Sequence, residues 1–269
     1  MSRLSPPTPS QIAYALNCRL CKIMDEKNEH PSEVHTSSVP SFHLDEISSI
    51  HLDATPQFLQ PRASEVERGI NELEPWEDAY TPSLKSDSIL DQKQNCLTKA
   101  KRVSRILEHY MSSAKDEYAL GYIESTPWKC EVPKNDRSCY GASWEIKTLV
   151  SIRDQEFPYV GCILAADGPL YDEKVMYTEQ MALYKMADHG LYDHEAGEYK
   201  YAERVILTLL TISGATFYVT HGTLDMQKKA LSVGRTKAIN FADENDELDR
   251  SKVFSALGWL LGEPIGKAA

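Results

Sequence analysis

The sequence predicts an α/β protein in which a mixed central β-sheet is flanked by helices. Three features of the sequence lead there. From about residue 94 onward, segments with apolar residues at steps of three and four alternate with short apolar runs, the two periods of helix and strand. One run, "YVGCILAA" (159–166), has no polar side to turn to water, as expected of a strand covered on both faces. Ser213-Gly214 joins two further strand-like runs through a short hairpin signal.

The elements follow in order. "QNCLTKAKRVSRILEHYMSSAKDEYAL" carries Cys96, Ala100, Val103, Leu107, Tyr110 and Ala114 along one face, which predicts an amphipathic helix. "WKCEV" (128–132) reads as a strand, "PKNDRS" as a turn, "SWEIKTLVSI" as a second strand and 159–166 as a third. "DGPLYD" breaks the chain, and a helix is expected over Glu173–His189, stopped by Gly190. "RVILTLLTI" (204–212) and "ATFYVTHG" (215–222) form the hairpin strands. "DELDRSKVFSALGWLLG" closes the chain as a helix with acids at its start and Gly262 and Pro264 at its end. The expected order is α-β-β-β-α-β-β-α, an α/β layer architecture.

Residues 1–93 differ in composition. They are rich in Pro, Ser, Glu and Asp and lack long periodic apolar segments, so they read as a polar extension, partly helical or disordered, preceding a core domain over 94–269. Two short helices are expected within them: one aligning Ile12, Leu16, Leu20 and Ile23, the other opened by Ser64 and stopped before Pro75.

The chain has 269 residues, 42% hydrophobic and 26% charged, the size of one large domain with an extension. No apolar run approaches the roughly 18–20 residues of a membrane span. "MSRLSPPTPSQ" lacks the apolar centre of a secretory signal, so a cytoplasmic location without a membrane partner is expected. The six cysteines, at 18, 21, 96, 130, 139 and 162, are too scattered for a disulfide framework. Cys18 and Cys21 form half a zinc motif with only His30 and His35 nearby, and free thiols are expected instead. No cofactor and no stable protein partner are expected from the residues.

The net charge of −11 argues against general binding to nucleic acid. Two basic segments stand out against it. "KAKRVSR" (99–105) carries Lys101, Arg102 and Arg105, and "KKALSVGRTK" (228–237) carries Lys228, Lys229, Arg235 and Lys237.

In "GASWEIKTLV", Glu145 and Lys147 alternate with Trp144 and Ile146. On a strand that spacing puts the carboxylate and the ammonium on one face, either as a plain salt bridge or as the floor of a site. Ser143 shares that face, Asp136 lies nine residues before Glu145, and Glu131 ends the preceding strand. On the following helix Gln180 interrupts the apolar stripe of Met176, Leu183 and Ala187, and a polar residue there needs partners.

An amphipathic helix, an acid in a turn and then E-x-K on a strand is similar to the skeleton of the PD-(D/E)XK nuclease superfamily. The stretch 94–262 also resembles its fungal nuclease-like branch, through "TEQMALYKMADHGLY", "ILTLLTISGATFYVTHG" and "DRSKVFSALGWLL". The resemblance implies a nuclease-like core. In a nuclease, Asp136 (with Glu131 competing for the position) and Glu145 would hold Mg²⁺, Lys147 would stabilise developing charge, and Gln180 would reach the site. The chain also looks like the arginine-containing cyclodipeptide synthases of that branch, which use aminoacyl-tRNA and need no metal. That resemblance carries the leading functional expectation, ahead of the nuclease: joining arginine from its tRNA to a second amino acid to close a diketopiperazine. Glu145 would be the base, Lys147 the electrophile, and Ser143, Tyr177 or Tyr184 the nucleophile. Asp136, Glu131, Glu179 and Tyr184 would hold substrate, and the two basic segments would hold tRNA. A non-catalytic interaction protein, with Glu145 and Lys147 merely paired, is the third expectation.

Overall fold

The apolar run Tyr159–Ala166 is buried along its whole length, and the sheet is built outward from it. The computed structural model describes residues 43–49, 59–72, 95–112, 126–131, 140–141, 143–152, 158–171, 175–193, 198–200, 202–228, 230–243 and 248–265. In chain order the elements are β1 (His43–Ser49), β2 (Leu59–Gln60), α1 (Ala63–Glu72), α2 (Cys96–Ser112), β3 (Lys129–Glu131), β4 (Tyr140–Gly141), β5 (Trp144–Ile152) and β6 (Tyr159–Ala166). Then come α3 (Tyr177–Leu191), β7 (Tyr192–Asp193), β8 (Glu198–Tyr199), β9 (Arg204–Ser213), β10 (Thr216–Asp225), β11 (Ala230–Arg235), β12 (Ile239–Asn240), α4 (Arg250–Leu260) and β13 (Glu263–Pro264).

The main sheet runs β1-β11-β10-β9-β6-β5-β3, with β12 beside β10 and β4 beside β5. Strands β3, β5 and β6 pair antiparallel. Strand β9 is parallel to β6, because α3 carries the chain back over the sheet before β9 begins. Strands β9 and β10 are a hairpin closed by Gly214-Ala215, where Gly214 has φ +59°. L side chains rarely adopt that left-handed conformation, so glycine suits the two-residue loop. The mixed α/β class is therefore as expected.

The sheet separates two apolar layers. On one face α1, α2 and α4 cover Val150, Ile152, Ile163, Ile206, Leu210 and Phe217. On the other, α3 covers Ile146, Leu149, Cys162, Leu164, Leu207 and Leu209. Helix α4 opens with Asp249, whose carboxylate accepts the Ser251 N–H at 2.9 Å, so the acid caps the helix from outside its first turn.

Three expectations change here. Residues 43–49 and 59–72, inside the expected extension, pair or pack with the rest of the fold. Strand β1 extends the sheet beside β11, β2 pairs with β13, and Val66 and Ile70 of α1 are buried with α4. The basic segment 228–237 contains a sheet strand, β11, that was not expected. The helix expected to stop at Gly190 runs through it to Leu191, with His189 buried inside it. The helix expected around Ile12–Ile23 and the Cys18/Cys21 pair lie outside the described residues. Among the described residues no helix is long and apolar enough to cross a membrane.

Candidate active site

Strand β5 alternates as its sequence demands until Lys147. Trp144 and Ile146 are buried against the α3 layer, and Glu145 turns to the α2 side. The pairing with β6 then slips: Ile146 faces Leu164, and Thr148 faces Ile163. Lys147 is the extra residue of a β-bulge. The bulge resets the alternation, so Leu149 faces α3 while Thr148, Val150 and Ile152 face α2. Consequently Glu145, Lys147 and Thr148 all point to one helix.

Helix α2 answers with Lys101, Arg105 and Glu108, at i, i+4 and i+7 on one of its faces. Lys147 Nζ donates to Glu145 Oε1 at 2.8 Å, and Lys101 Nζ lies 2.6 Å from Glu145 Oε2. Thr148 Oγ1 donates to Glu108 Oε1 at 2.5 Å. The arrangement sits in a half-buried seam: the side chains of Lys147, Glu145 and Lys101 are 15%, 28% and 36% exposed.

The electrostatics separate the two acids. Burial pushes the Glu108 carboxyl above its usual range. The Thr148 hydroxyl and Lys147 pull it back only in part, and the Glu145 charge adds to the rise. Burial acts on Glu145 in the same direction, but hydrogen bonds from Lys101 and Lys147 outweigh it and hold that carboxyl below its usual range. The seam thus holds one firmly ionised carboxylate between two ammoniums and one carboxyl that more readily keeps a proton.

Of the residues singled out in the sequence, Glu145 and Lys147 meet on one face. Gln180 does not join them. It rides on α3, on the opposite face of the sheet, where its Oε1 is buried without a partner among the described residues. Ser143 is exposed in the turn before β5, and its carbonyl accepts the Asp167 N–H at 2.8 Å. Glu131 pairs through its backbone with Leu149. Asp136 and Lys229 lie outside the described residues, as does the side chain of Tyr177. Tyr184 is packed in the apolar layer beneath α3, so it is a core residue.

Glu179 and Arg235 need the clearest correction. Glu179 was expected to hold substrate and Arg235 to hold tRNA, yet they are 0% and 2% exposed and bond to each other. Arg235 Nη2 donates to Glu179 Oε2 at 3.2 Å, while Arg235 Nη1 donates to the Tyr171 carbonyl at 3.1 Å and the Tyr218 hydroxyl at 3.3 Å. Glu179 also accepts the Thr211 hydroxyl at 2.9 Å and the Met176 N–H at 2.8 Å. The cause is β11: the alternation that buries Leu231 and Val233 turns Arg235 to the same interior face. Lys228 and Lys237 are exposed, but they flank opposite ends of a strand about 20 Å long, so the basic run makes no single patch. Arg105 is exposed on α2, and Arg102 is half-buried.

Glu108 and Thr148 were missed in the sequence. Glu108 was legible in hindsight, because Lys101, Arg105 and Glu108 form a polar row beside the apolar stripe of α2. Thr148 was not, because nothing in "WEIKTLV" announces a bulge. Compared with known proteins, the chain matches no family model, no curated protein and no solved structure.

Proposed function

We propose that Glu108, Glu145 and Lys147 form the centre of an enzyme of PD-(D/E)XK nuclease-like type that hydrolyses phosphodiester bonds in nucleic acid. The observation that carries this reading is the convergence of a helix carboxyl with a strand carboxylate and lysine at the bulge in β5. The order α2-β3-β5-β6-α3-β9, with E-x-K on a strand flanked by neighbours on both sides, supports it. Among the described residues no three His, Cys, Asp or Glu gather as a metal site, so a Mg²⁺ here would rest on Glu108 and Glu145 alone, with water and phosphate in its other positions. When bound, it would supply positive charge at the attacked phosphate. Lys147, held beside Glu145, stands ready to neutralise charge on the phosphate oxygens.

A second reading is favoured by a separate observation, the two ammoniums on Glu145 and the raised carboxyl of Glu108. In metal-free aminoacyl transfer from tRNA, as in a cyclodipeptide synthase, Glu108 rather than Glu145 would accept the amine proton, and Lys147 would polarise the ester carbonyl. The arginyl side chain would then need an acid other than Glu179, which is already held by Arg235.

One experiment separates the readings. The full chain is incubated with labelled DNA and RNA oligonucleotides in Mg²⁺ or Mn²⁺, and in parallel with arginyl-tRNA and mixed amino acids. Cleavage that falls at least about 100-fold in Glu145→Gln and Lys147→Ala supports the nuclease. Consumption of arginyl-tRNA with a cyclo(Arg-X) mass supports the synthase. If neither occurs, both are rejected, and Glu145–Lys147 is the salt bridge of an interaction protein.

A further inference from the structure

Helix α2 concentrates positive charge in a chain whose net charge is −11. It holds Lys99, Lys101, Arg102 and Arg105 against a single acid, Glu108. Going round the helix from Lys101, Arg105, Arg102 and Lys99 follow at about 40°, 100° and 160°, so the cations share one band. Ala100, Val103 and Leu107 take the opposite side and are buried. Glu108 lies at the seam edge of the band, where it meets Thr148.

Most of this charge is not neutralised from within. Lys101 is held by Glu145. Lys99, Arg102 and Arg105 make no ion pair among the described residues. Arg105 is exposed, and Lys99 and Arg102 are half-buried. Arg102 is also short of an acceptor, since its Nη1 is buried with no hydrogen-bond partner among the described residues. A guanidinium without an acceptor is a costly arrangement, and a phosphate oxygen relieves it.

The band is continuous with the seam. Burial is the main cause of the raised Glu108 carboxyl, and Arg105 is among the charges that pull against it, so Arg105 borders the site itself. Arg102 and Arg105 are one turn apart, and guanidinium forks match phosphate oxygens in pairs. From Lys99 to Arg105 the helix rises about 9 Å, the axial length of two or three phosphates on one strand of a duplex. A single strand would need aromatic side chains on which its bases stack. Among the described residues Tyr171 is the exposed large hydrophobic side chain, and it lies on the loop after β6, away from α2.

We propose that the basic band of α2 docks the phosphate backbone of a double-stranded nucleic acid and leads it to the seam, with Lys99, Arg102 and Arg105 as its phosphate contacts and Arg102 turning its guanidinium outward to bind. This rests on the nuclease reading above and adds to it the form of the substrate and the surface that receives it.

The test measures binding of the full chain to a short fluorescein-labelled duplex by anisotropy, with EDTA present so that no cleavage enters. Each phosphate contact contributes about −0.9 to the slope of log K against log salt, so three contacts weaken binding about 40-fold between about 50 and 200 mM salt. Arg105→Gln should make the slope shallower by about 0.9, and Arg102→Gln with Arg105→Gln by about 1.8. Arg102→Lys with Arg105→Lys keeps the charge and should keep the slope. Lys228→Gln with Lys237→Gln removes the same charge from the far side of the sheet and should also keep it. Duplex DNA and duplex RNA are measured in parallel, and tighter binding of either over its own single strand supports the proposal. If the two Arg→Gln changes leave the slope unaltered, or alter it no more than the two Lys→Gln changes do, the docking face is overturned. A single strand bound more tightly than the duplex through the same arginines overturns it too, as does polyglutamate displacing the duplex at equal charge. None of these results touches the nuclease reading, which stands or falls on cleavage that depends on Glu145. Arg105 is exposed, so Arg105→Gln keeps the test decisive if the double variant melts early by circular dichroism.

Discussion

Replacing Arg235 by Met tests the correction that moves this residue from a nucleic-acid surface into the core. The substitution keeps much of the length and the apolar stem and deletes the guanidinium. Glu179, fully buried, would keep the Thr211 hydroxyl and the Met176 N–H but lose the Arg235 guanidinium. The Tyr171 carbonyl and Tyr218 hydroxyl lose their Arg235 donor, and the Tyr218 ring loses the guanidinium 4.5 Å from its centroid. Removing one partner of a buried pair costs about 3–5 kcal/mol. With a urea slope of about 2–3 kcal/mol/M, the unfolding midpoint should fall by about 1–2.5 M. Tryptophan fluorescence provides the signal, and an unchanged slope would confirm that only stability moved. Glu179→Leu combined with Arg235→Met should cost less than the sum of the single changes, because the double variant leaves no unpaired buried charge. A loss below about 1 kcal/mol for Arg235→Met, together with weaker binding to a polyanion, would refute the reasoning and return Arg235 to the surface.

Other outcomes follow from the same geometry. Glu145→Gln should fold normally and lose activity, because its carboxylate is partly exposed and its role lies in charge; activity and melting measured on one preparation check this. His221, under Trp259 and beside the Thr208 hydroxyl at 3.3 Å, has its pKa pushed by burial down to about 4. Its folded value is below the unfolded one of about 6.5, so the neutral ring contributes fully above pH 6.5. About 3 kcal/mol is then lost as pH falls to 4, and His221→Gln should flatten that part of a stability–pH curve. Gly258→Ala would place a Cβ 2.5 Å from Ala63 N and 2.7 Å from Ala63 Cα, backbone atoms that cannot step aside. It should cost about 1–3 kcal/mol by prising α1 off α4, seen as a lower urea midpoint.

Much of the fold was legible along the chain because it depends on local periodicity. The three-and-four spacing of α2, the continuous apolar run of β6 and the Gly214 hairpin each state their own conformation within about ten residues. The Glu145/Lys147 face was legible for the same reason, since a two-residue period acts within one strand. The rest depended on partners distant in sequence. Strand β1 became part of the sheet only because β11 offered an edge, and α1 became core only because Gly258 lets it approach α4. Arg235 read as a surface cation until β11 fixed which of its faces was inside, and Glu179 then supplied the buried counter-charge. Thr148 met Glu108 because one residue bulged from a ladder, a shift no spacing rule encodes. Periodicity carries which side of an element is apolar; which element lies against it is decided by packing between segments whose separation along the chain the local pattern does not register.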